Sequence, residues 1–423
     1  MSGCVFLPPG SSVNGQAVAT GEAPLVLSPA PSDGESLPRT WAGASRDADL
    51  IHLALDVVLD LESDRIVGKV THTFRALREG TSGVRLHQED LEIREVLGAS
   101  GEALGYRQIG GFLEIALEEP LAIGDEAQVA VEFSAQRGEA FSSSLQRGGA
   151  FAPTAYGTSF PGGLRGWVPT WDEPGDLTAM DTRIQLRDDM SALSNGVLVG
   201  VDPVPGEGLA QKVFSWRLGT EVPVRSLAIA AAQFDTFAAE AEETELYFHL
   251  PSGTDPDTAQ RTFGESTAVL EYFRRRLDRP FPFPRYDQAV LPDLPSLMLE
   301  GASVTLIDAS ELPSVADELD DRRERPRRSV ARGAARKWFG AWIAPLQERH
   351  RWLLDGIALY LELDYEARVR GIPEVSLEWD LLRDSIQRRS GERLAADAGG
   401  AGVANLARDK AAERAAWVMR ILR

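Results

Sequence analysis

At 423 residues the chain is too long for one ordinary core, so two or three domains are expected. Its 43% apolar and 26% charged content is that of a globular protein, and a formal net charge of -20 argues against nucleic acid or an anionic membrane surface as the main partner. The single cysteine, Cys4, excludes an intramolecular disulfide, and no apolar run approaches the roughly 18–20 residues of a membrane span.

No charged segment followed by an apolar one opens the chain, so no secretory leader is expected and the default location is cytoplasmic. Met1-Ser2-Gly3-Cys4 ends like a lipoprotein cleavage box, but no hydrophobic segment precedes it; membrane attachment or export is the alternative only if the true start lies upstream of Cys4. Residues 1–45, rich in Gly, Ser, Pro and Ala, read as a flexible N-terminal arm. From 46 to 238 short strands follow one another: Ile51–Leu59, Gly68–Phe74, Val84–His87, Leu91–Leu97, Phe112–Leu117, Ala127–Phe133, then Arg183–Leu186, Lys212–Trp216 and Leu227–Ala231 after a loop-rich stretch at 136–170. Their regular spacing predicts an antiparallel β saddle or sandwich. Residues 239–423 change character. Strands are expected at Glu245–Leu250, Tyr286–Leu291 and Ala302–Ile307, with helical spacing over Asp255–Leu277 and two or more helices to the C-terminus. Asp317–Arg328 is a dense mixed-charge run read as a solvated loop or helix start. The fold class is therefore α+β and multi-domain.

Ser329–Glu362 reads as two helices joined by a short turn, carrying Trp338-Phe339-Gly340 and Trp352-Leu353-Leu354-Asp355-Gly356. Other landmarks precede it in order: Pro169-Thr170-Trp171-Asp172-Glu173-Pro174, Leu193-Ser194-Asn195-Gly196, Phe281-Pro282-Phe283-Pro284 and Leu299-Glu300-Gly301-Ala302-Ser303. Together these resemble the alanyl aminopeptidase family of zinc metallopeptidases, the exopeptidase branch of the gluzincins, over about residues 47 to 423. Their family counterparts are P-C-x-D-E-P, L-S-N-G, the aromatic-proline connector, M-E-N-A-S, Q-W-F-G and W-L-N-E-G-F-A. The resemblance implies a thermolysin-like lobe after the β saddle. No large C-terminal helical domain is expected within the chain.

In the family, two His at i and i+4 on one helical face bind zinc, and the Glu after the first His is the general base. Aligned on Trp338-Phe339-Gly340, the two His positions hold Arg332 and Arg336, and the base position holds Gly333. The third ligand position holds Asp355, the oxyanion Tyr position holds Ala412, and the family's amine-side Gln aligns loosely with Thr158. Glu300, which in active members grips the substrate's α-amino group, is retained. Zinc sites are worth on the order of 10 kcal/mol or more and need three or four ligands. Two guanidinium groups would each repel a divalent cation by several kcal/mol at an effective dielectric of about 20. His52, His72, His87, His249 and His350 are scattered and offer no substitute set. No zinc and no catalytic residue is therefore expected.

The leading expectation is a catalytically inactive, aminopeptidase-like protein with a binding, scaffolding or assembly role and a protein or peptide partner. Two alternatives stand beside it: a metal-dependent aminopeptidase with an atypical site, and a peptide or amino-acid sensor using Glu300, Arg332 and Arg336. Two readings of the arginine pair stay open: Arg332 and Arg336 form an ion-pair network with Glu300 and Asp355 that stands in for the metal, or one or both simply extend to solvent. Trp338, Phe339, Trp342 and Trp352 are expected in the core, and the basic run 322–328 on a solvated face.

Overall fold

A computed structural model of the chain describes residues 47–138, 141–144, 153–159, 163–206, 209–313, 324–388 and 401–422. The expected arm, Cys4 and the 317–323 part of the charged run lie outside these residues.

The first half is built from extended chain. Ala48–Asp60 buries Leu50, Leu53, Leu55, Val57 and Leu59 and leaves most of the residues between them partly or fully exposed, the period-2 signature of a strand with one face on a core. It sits inside a seven-stranded sheet. In spatial order the strands are Val197–Val204, Gln211–Pro223, Leu177–Arg187, Ala48–Asp60, Arg65–Ala76, Glu126–Gln136 and Glu92–Leu97. Ala48–Asp60 and Leu177–Arg187 run parallel, an exception to the antiparallel expectation. A three-stranded sheet (Thr81–His87, Phe112–Leu121, Tyr106–Ile109) and a four-stranded sheet complete this half. The loop-rich stretch at 136–170 contributes two strands of that last sheet, Phe141–Ser144 and Thr154–Gly157. Each is only four residues long, too short for a pattern to stand out.

The second sheet system has five strands, in the order Phe234–Ala241, Thr244–Pro251, Arg285–Leu291, Val304–Asp308 and Met298–Glu300. Sheet membership thus changes at Gln233, ahead of the expected boundary at 238. Helix α1 (Pro256–Phe263) starts on an Asp255 cap that accepts from the Thr258 amide at 2.9 Å, with proline at the first position. It stops at Gly264, and α2 (Ser266–Leu277) follows, so the expected single helix is two. Helices α3 (Glu324–Trp338), α4 (Arg351–Arg370), α5 (Ile372–Arg388) and α6 (Ala401–Leu422) complete the lobe. The joint between α3 and α4 is not a short turn. It runs from Phe339 to His350, with a bridge between Phe339 and Ile343 and a single 3-10 turn at Glu348–His350.

Two apolar cores result. One fills the β-rich half and takes in Leu291, Leu299, Val304 and Leu306 of the five-stranded sheet, so the two halves share packing. The other lies between that sheet and the helices, around Phe273, Tyr286, Trp338 and Leu363. Trp338 is buried as expected, whereas Trp342, on the joint, is 41% exposed. No helix among the described residues is long and apolar enough to cross a membrane.

Candidate functional site

Helices α3 and α4 meet antiparallel, and ion pairs fix their register. Arg328, Arg332 and Arg336 recur every four residues and so share one face of α3. Opposite them, α4 presents Asp355, Glu362 and Glu366. Arg327 makes a two-pronged contact with Glu366 at 2.7 and 2.8 Å. Arg328 donates to Glu362 at 2.6 Å and reaches Glu378 of α5 at 2.8 Å. Arg332 donates from Nε to the other oxygen of Glu362, and Arg336 Nη2 lies 3.2 Å from Asp355 Oδ1. Glu362 and Glu366 are buried, so these are charge-assisted contacts shielded from water. The expected solvated face is corrected at Arg327 and Arg328, which point into the helix interface because carboxylates two and three turns beyond Asp355 await them, whereas Arg325 is exposed.

The expected four-membered network is also corrected. Arg336 and Asp355 do pair. Arg332 lies one turn N-terminal on α3 and therefore meets α4 further along, at Glu362. Glu300 takes neither arginine, because Lys337 claims it. The Lys337 side chain is wholly buried. Its Nζ donates to Glu300 Oε2, to the Gly301 carbonyl at 2.9 Å and to the Val304 carbonyl at 2.7 Å. Burial pulls its pKa below the ordinary lysine value, and the Glu300 carboxylate opposes that pull.

The backbone around Glu300 is held by the Leu193-Ser194-Asn195-Gly196 turn. Asn195 donates to the Ser226 carbonyl at 2.8 Å and accepts from the Ala302 amide at 2.9 Å, while the Gly196 amide donates to Ser303 Oγ at 2.7 Å. Gly301, where the family motif has Asn, sits against this clasp: a Cβ there would lie 2.6 Å from both Ala228 Cβ and Asn195 Oδ1. Gly333 packs on the sheet, where a Cβ would meet Thr305 at 3.1 Å and Met298 at 3.2 Å. Ala412 of α6 is buried, and its carbonyl lies 2.7 Å from where a Cβ on Gly356 of α4 would stand. The structure thus brings Glu300, Arg336 and Asp355 to one cavity of about 50 Å³. Arg332, Gly333 and Ala412 do not line it.

Three charged residues that the sequence reading passed over, Arg225, Glu348 and Arg351, also line the cavity. Buried Asp172 accepts from the Leu164 amide at 3.1 Å and pairs with Arg225 at 3.1 Å. Arg225 donates to Glu348 at 2.9 Å, and Arg351 stands 3.9 Å from both Glu348 and Asp355. A chain of alternating charge therefore links the Pro169–Pro174 turn of the β-rich half to α4. Two neutral histidines pin the same turn. The Asp172 amide donates to His87 Nδ1 at 3.1 Å, and His72 Nε2 lies 3.2 Å from Thr170 Oγ1. Burial, then the nearby Arg165, pushes His87 down to about 4, and burial alone drives His72 to about 3. Thr158 is buried beside this turn, its carbonyl accepting from Trp167 Nε1 at 3.0 Å.

The donor set does not fit the zinc ion that the resemblance implies. Arg332 and Arg336 offer no lone pair, Gly333 offers no side chain, and the Asp355 carboxylate is engaged by guanidinium groups. Among the described residues no group of three His, Cys, Asp or Glu side chains is placed to hold a metal ion. The arrangement can hold charge in place and can accept hydrogen bonds at Glu300.

Comparison with known proteins bears on the same region. A family model described as the Peptidase M1 N-terminal domain matches residues 49–215. Transcription initiation factor TFIID subunit 2 of Drosophila melanogaster is 26% identical over 195 residues, 46% of this chain and 16% of that protein. Aminopeptidase N of Homo sapiens is 25% identical over 197 residues, covering 46% of this chain and 20% of its own length. Aminopeptidase N of Acetobacter pasteurianus is 24% identical over 199 residues, covering 47% and 55%. The chain spans from about a sixth to about half of the length of these relatives. Among solved structures, a mutant M1 zinc metallopeptidase from Deinococcus radiodurans superposes with a TM-score of 0.65 at 20% identity, over 82% of this chain and 76% of that one. That coverage carries the shared fold past residue 215 and into the lobe.

Proposed function

The chain belongs to the alanyl aminopeptidase family of zinc metallopeptidases, and from that premise we propose that it is a non-hydrolysing member that works by binding or assembly. The observation that carries this reading is the occupancy of α3. The positions that align with the two zinc-binding His and the general base hold Arg332, Arg336 and Gly333. The two arginines are committed to Glu362 and Asp355, and the glycine is packed on Thr305. Zinc supplies the nucleophile in such enzymes by acidifying a bound water, and among the described residues no group of three His, Cys, Asp or Glu side chains is placed to hold such an ion. A relative that is 26% identical over 195 residues is named as a subunit of a transcription initiation factor, which supports an assembly role. The acidic surface makes a protein or peptide the expected partner.

Metal analysis of the purified chain, paired with hydrolysis of chromogenic amino-acid amides with and without added zinc, tests the reading. Sub-stoichiometric metal and no chelator-sensitive turnover are expected. Stoichiometric zinc with turnover abolished by chelator would instead establish an aminopeptidase with substitute ligands. The sensor alternative needs Glu300 to take a ligand's ammonium, and that carboxylate already holds one from within the chain.

A further inference from the structure

We propose that the open edge of strand Thr81–His87 takes an extended peptide as an added strand, and that the peptide carries a carboxylate opposite Arg85. The strand lies at the margin of its three-stranded sheet. Phe112–Leu121 pairs with one side of it, and no strand among the described residues pairs with the other. Both ends of that free side are closed. At one end the His87 amide donates to the Thr170 carbonyl at 2.8 Å, and the Thr170 amide to the His87 carbonyl at 3.1 Å. At the other end Thr81 Oγ1 donates to the Asp47 carbonyl at 3.3 Å. Backbone groups alternate in direction along an antiparallel strand. Because those of His87 face outward, those of Arg85 face outward too, with no second strand to meet them among the described residues.

The stretch between these closed ends opens onto a groove of about 1060 Å³, with Ala48, Phe74 and Trp171 in its lining. Val84 and Leu86 are buried, whereas Arg85 is exposed on the outer face of the sheet. On that face charge alternates from strand to strand. Arg107, Glu114 and Arg85 stand side by side in register. Glu114 accepts from Arg107 at 2.6 Å and from Arg85 at 2.7 Å. One carboxylate serves two guanidinium groups, so the row ends at Arg85 with positive charge in surplus. The next place in the row falls to whichever residue an added strand sets opposite Arg85. A carboxylate there continues the alternation, and a lysine or arginine meets a like charge. The neighbour opposite Val84 turns its side chain toward the groove and its aromatic lining, so that position is apolar.

A charge on an edge strand wards off unspecific pairing. Arg85 does this against basic strands and thereby selects an acidic one. It also disfavours a second copy of this chain. Thr81–His87 contains no Asp or Glu, so the same strand of another copy offers Arg85 no carboxylate in any register. The net charge of -20 disfavours a polyanion. The partner is therefore a mostly uncharged, strand-forming segment with one Asp or Glu, recognised by strand addition. This inference goes beyond the non-hydrolysing reading and does not rest on it, since the groove shares no lining residue with the cavity that holds Glu300, Arg336 and Asp355.

The test uses the full chain and the peptide acetyl-Ser-Val-Glu-Val-Thr-Tyr, labelled at its C-terminus with fluorescein and read by anisotropy. Saturable binding to wild type is expected. The same peptide with Gln in place of Glu should bind roughly two- to fivefold more weakly, the size of an opposite-charge cross-strand pair. Arg85→Ala, an exposed change that leaves Glu114 with Arg107, should bind the Glu and Gln peptides equally. Arg85→Glu should prefer a peptide with Lys at that place. N-methylation separates strand addition from mere charge attraction. A methyl on the Glu amide, which faces Arg85, should abolish binding, and one on the following Val amide, which faces away, should be tolerated. Three results would each overturn the proposal: no saturable binding, a Glu preference that survives Arg85→Ala, or equal loss from the two methylations. Sedimentation of the chain alone adds a fourth, because a dimer that Arg85→Glu dissociates assigns the edge to a second copy. The acetyl group removes the free amine, so this measurement and those of metal and hydrolysis succeed or fail separately.

Discussion

Arg336 and Asp355 face each other at 3.2 Å across α3 and α4, on the two positions that align with the second and third metal ligands of the family. An arginine and a carboxylate joined directly leave no vacancy between them for a cation. Arg351 is the only other guanidinium near Asp355 among the described residues, at 3.9 Å. Arg336→Met should therefore lower stability by about 1–3 kcal/mol through an under-compensated carboxylate. Adding Asp355→Leu should recover part of the loss. Urea melts of the two single variants and the double variant measure this, and an unchanged midpoint in Arg336→Met would remove the pair from any structural role.

Glu362 carries more. It takes Arg328 and Arg332 at once and is 1% exposed. Glu362→Ala should cost about 3–5 kcal/mol, the range for breaking a buried ion pair from one side. The milder Glu362→Gln keeps the shape and removes the charge, and should fall between. A loss for Glu362→Ala no larger than for an exposed pair such as Arg75–Glu126 would mean that the ladder is screened by water.

Most helices and strands were legible in the sequence because hydrophobic period and ordered landmarks report them. The partners of the charged groups were not. Arg332 and Glu300 were expected to meet because one aligns with a metal ligand and the other with the amine-gripping Glu of the same family site. Their actual partners, Glu362 and Lys337, follow from helix phase and from a sheet edge that no local pattern encodes. A partial signal was available: Arg328, Arg332 and Arg336 at spacing four, with Asp355, Glu362 and Glu366 at spacings seven and four, is the pattern of two facing charged stripes. The link from Asp172 through Arg225 to Glu348 spans more than 170 residues of chain and left no trace in spacing.

Rebuilding the family motif in place should fail. Arg332→His/Gly333→Glu/Arg336→His strips Glu362 of one of its two guanidinium partners and Asp355 of its nearest, and it puts a side chain at 333 where even a Cβ meets Thr305 at 3.1 Å. The expected result is a fall in soluble yield and melting temperature with no gain of stoichiometric zinc. Likewise Ala412→Tyr, which would place a ring beside the close approach of α4 and α6 at Gly356, should destabilise the chain by overpacking, about 1–3 kcal/mol or more. A folded, zinc-loaded triple variant would show that the arginine ladder is dispensable and the frame still competent.

Acid should loosen the Pro169–Pro174 turn before it unfolds the rest. His72 and His87 are buried, neutral and hydrogen-bonded to that turn, His87 as the acceptor of the Asp172 amide. Their folded pKa values, about 3 and about 4, lie below the ordinary 6.5 of the unfolded chain. Between those values the unfolded state binds more protons than the folded one, so stability is complete above pH 6.5 and falls as the pH drops. Each histidine contributes a slope of about 1.4 kcal/mol per pH unit, His87 until about pH 4 and His72 until about pH 3. His249, held below its usual value by burial against the pull of Asp287, acts in the same direction. Arg165 and Arg225 disfavour the His87 imidazolium and Asp172 favours it, so loss of either arginine should shift the His87 transition to higher pH. The measurement is the urea midpoint from pH 7.5 to 4.5 for wild type, His72→Gln and His87→Asn. Each variant is expected to be less stable at pH 7.5 and to show a shallower fall on acidification, because one proton-linked group is gone. Parallel pH profiles in all three proteins would place the acid sensitivity in the carboxylates instead.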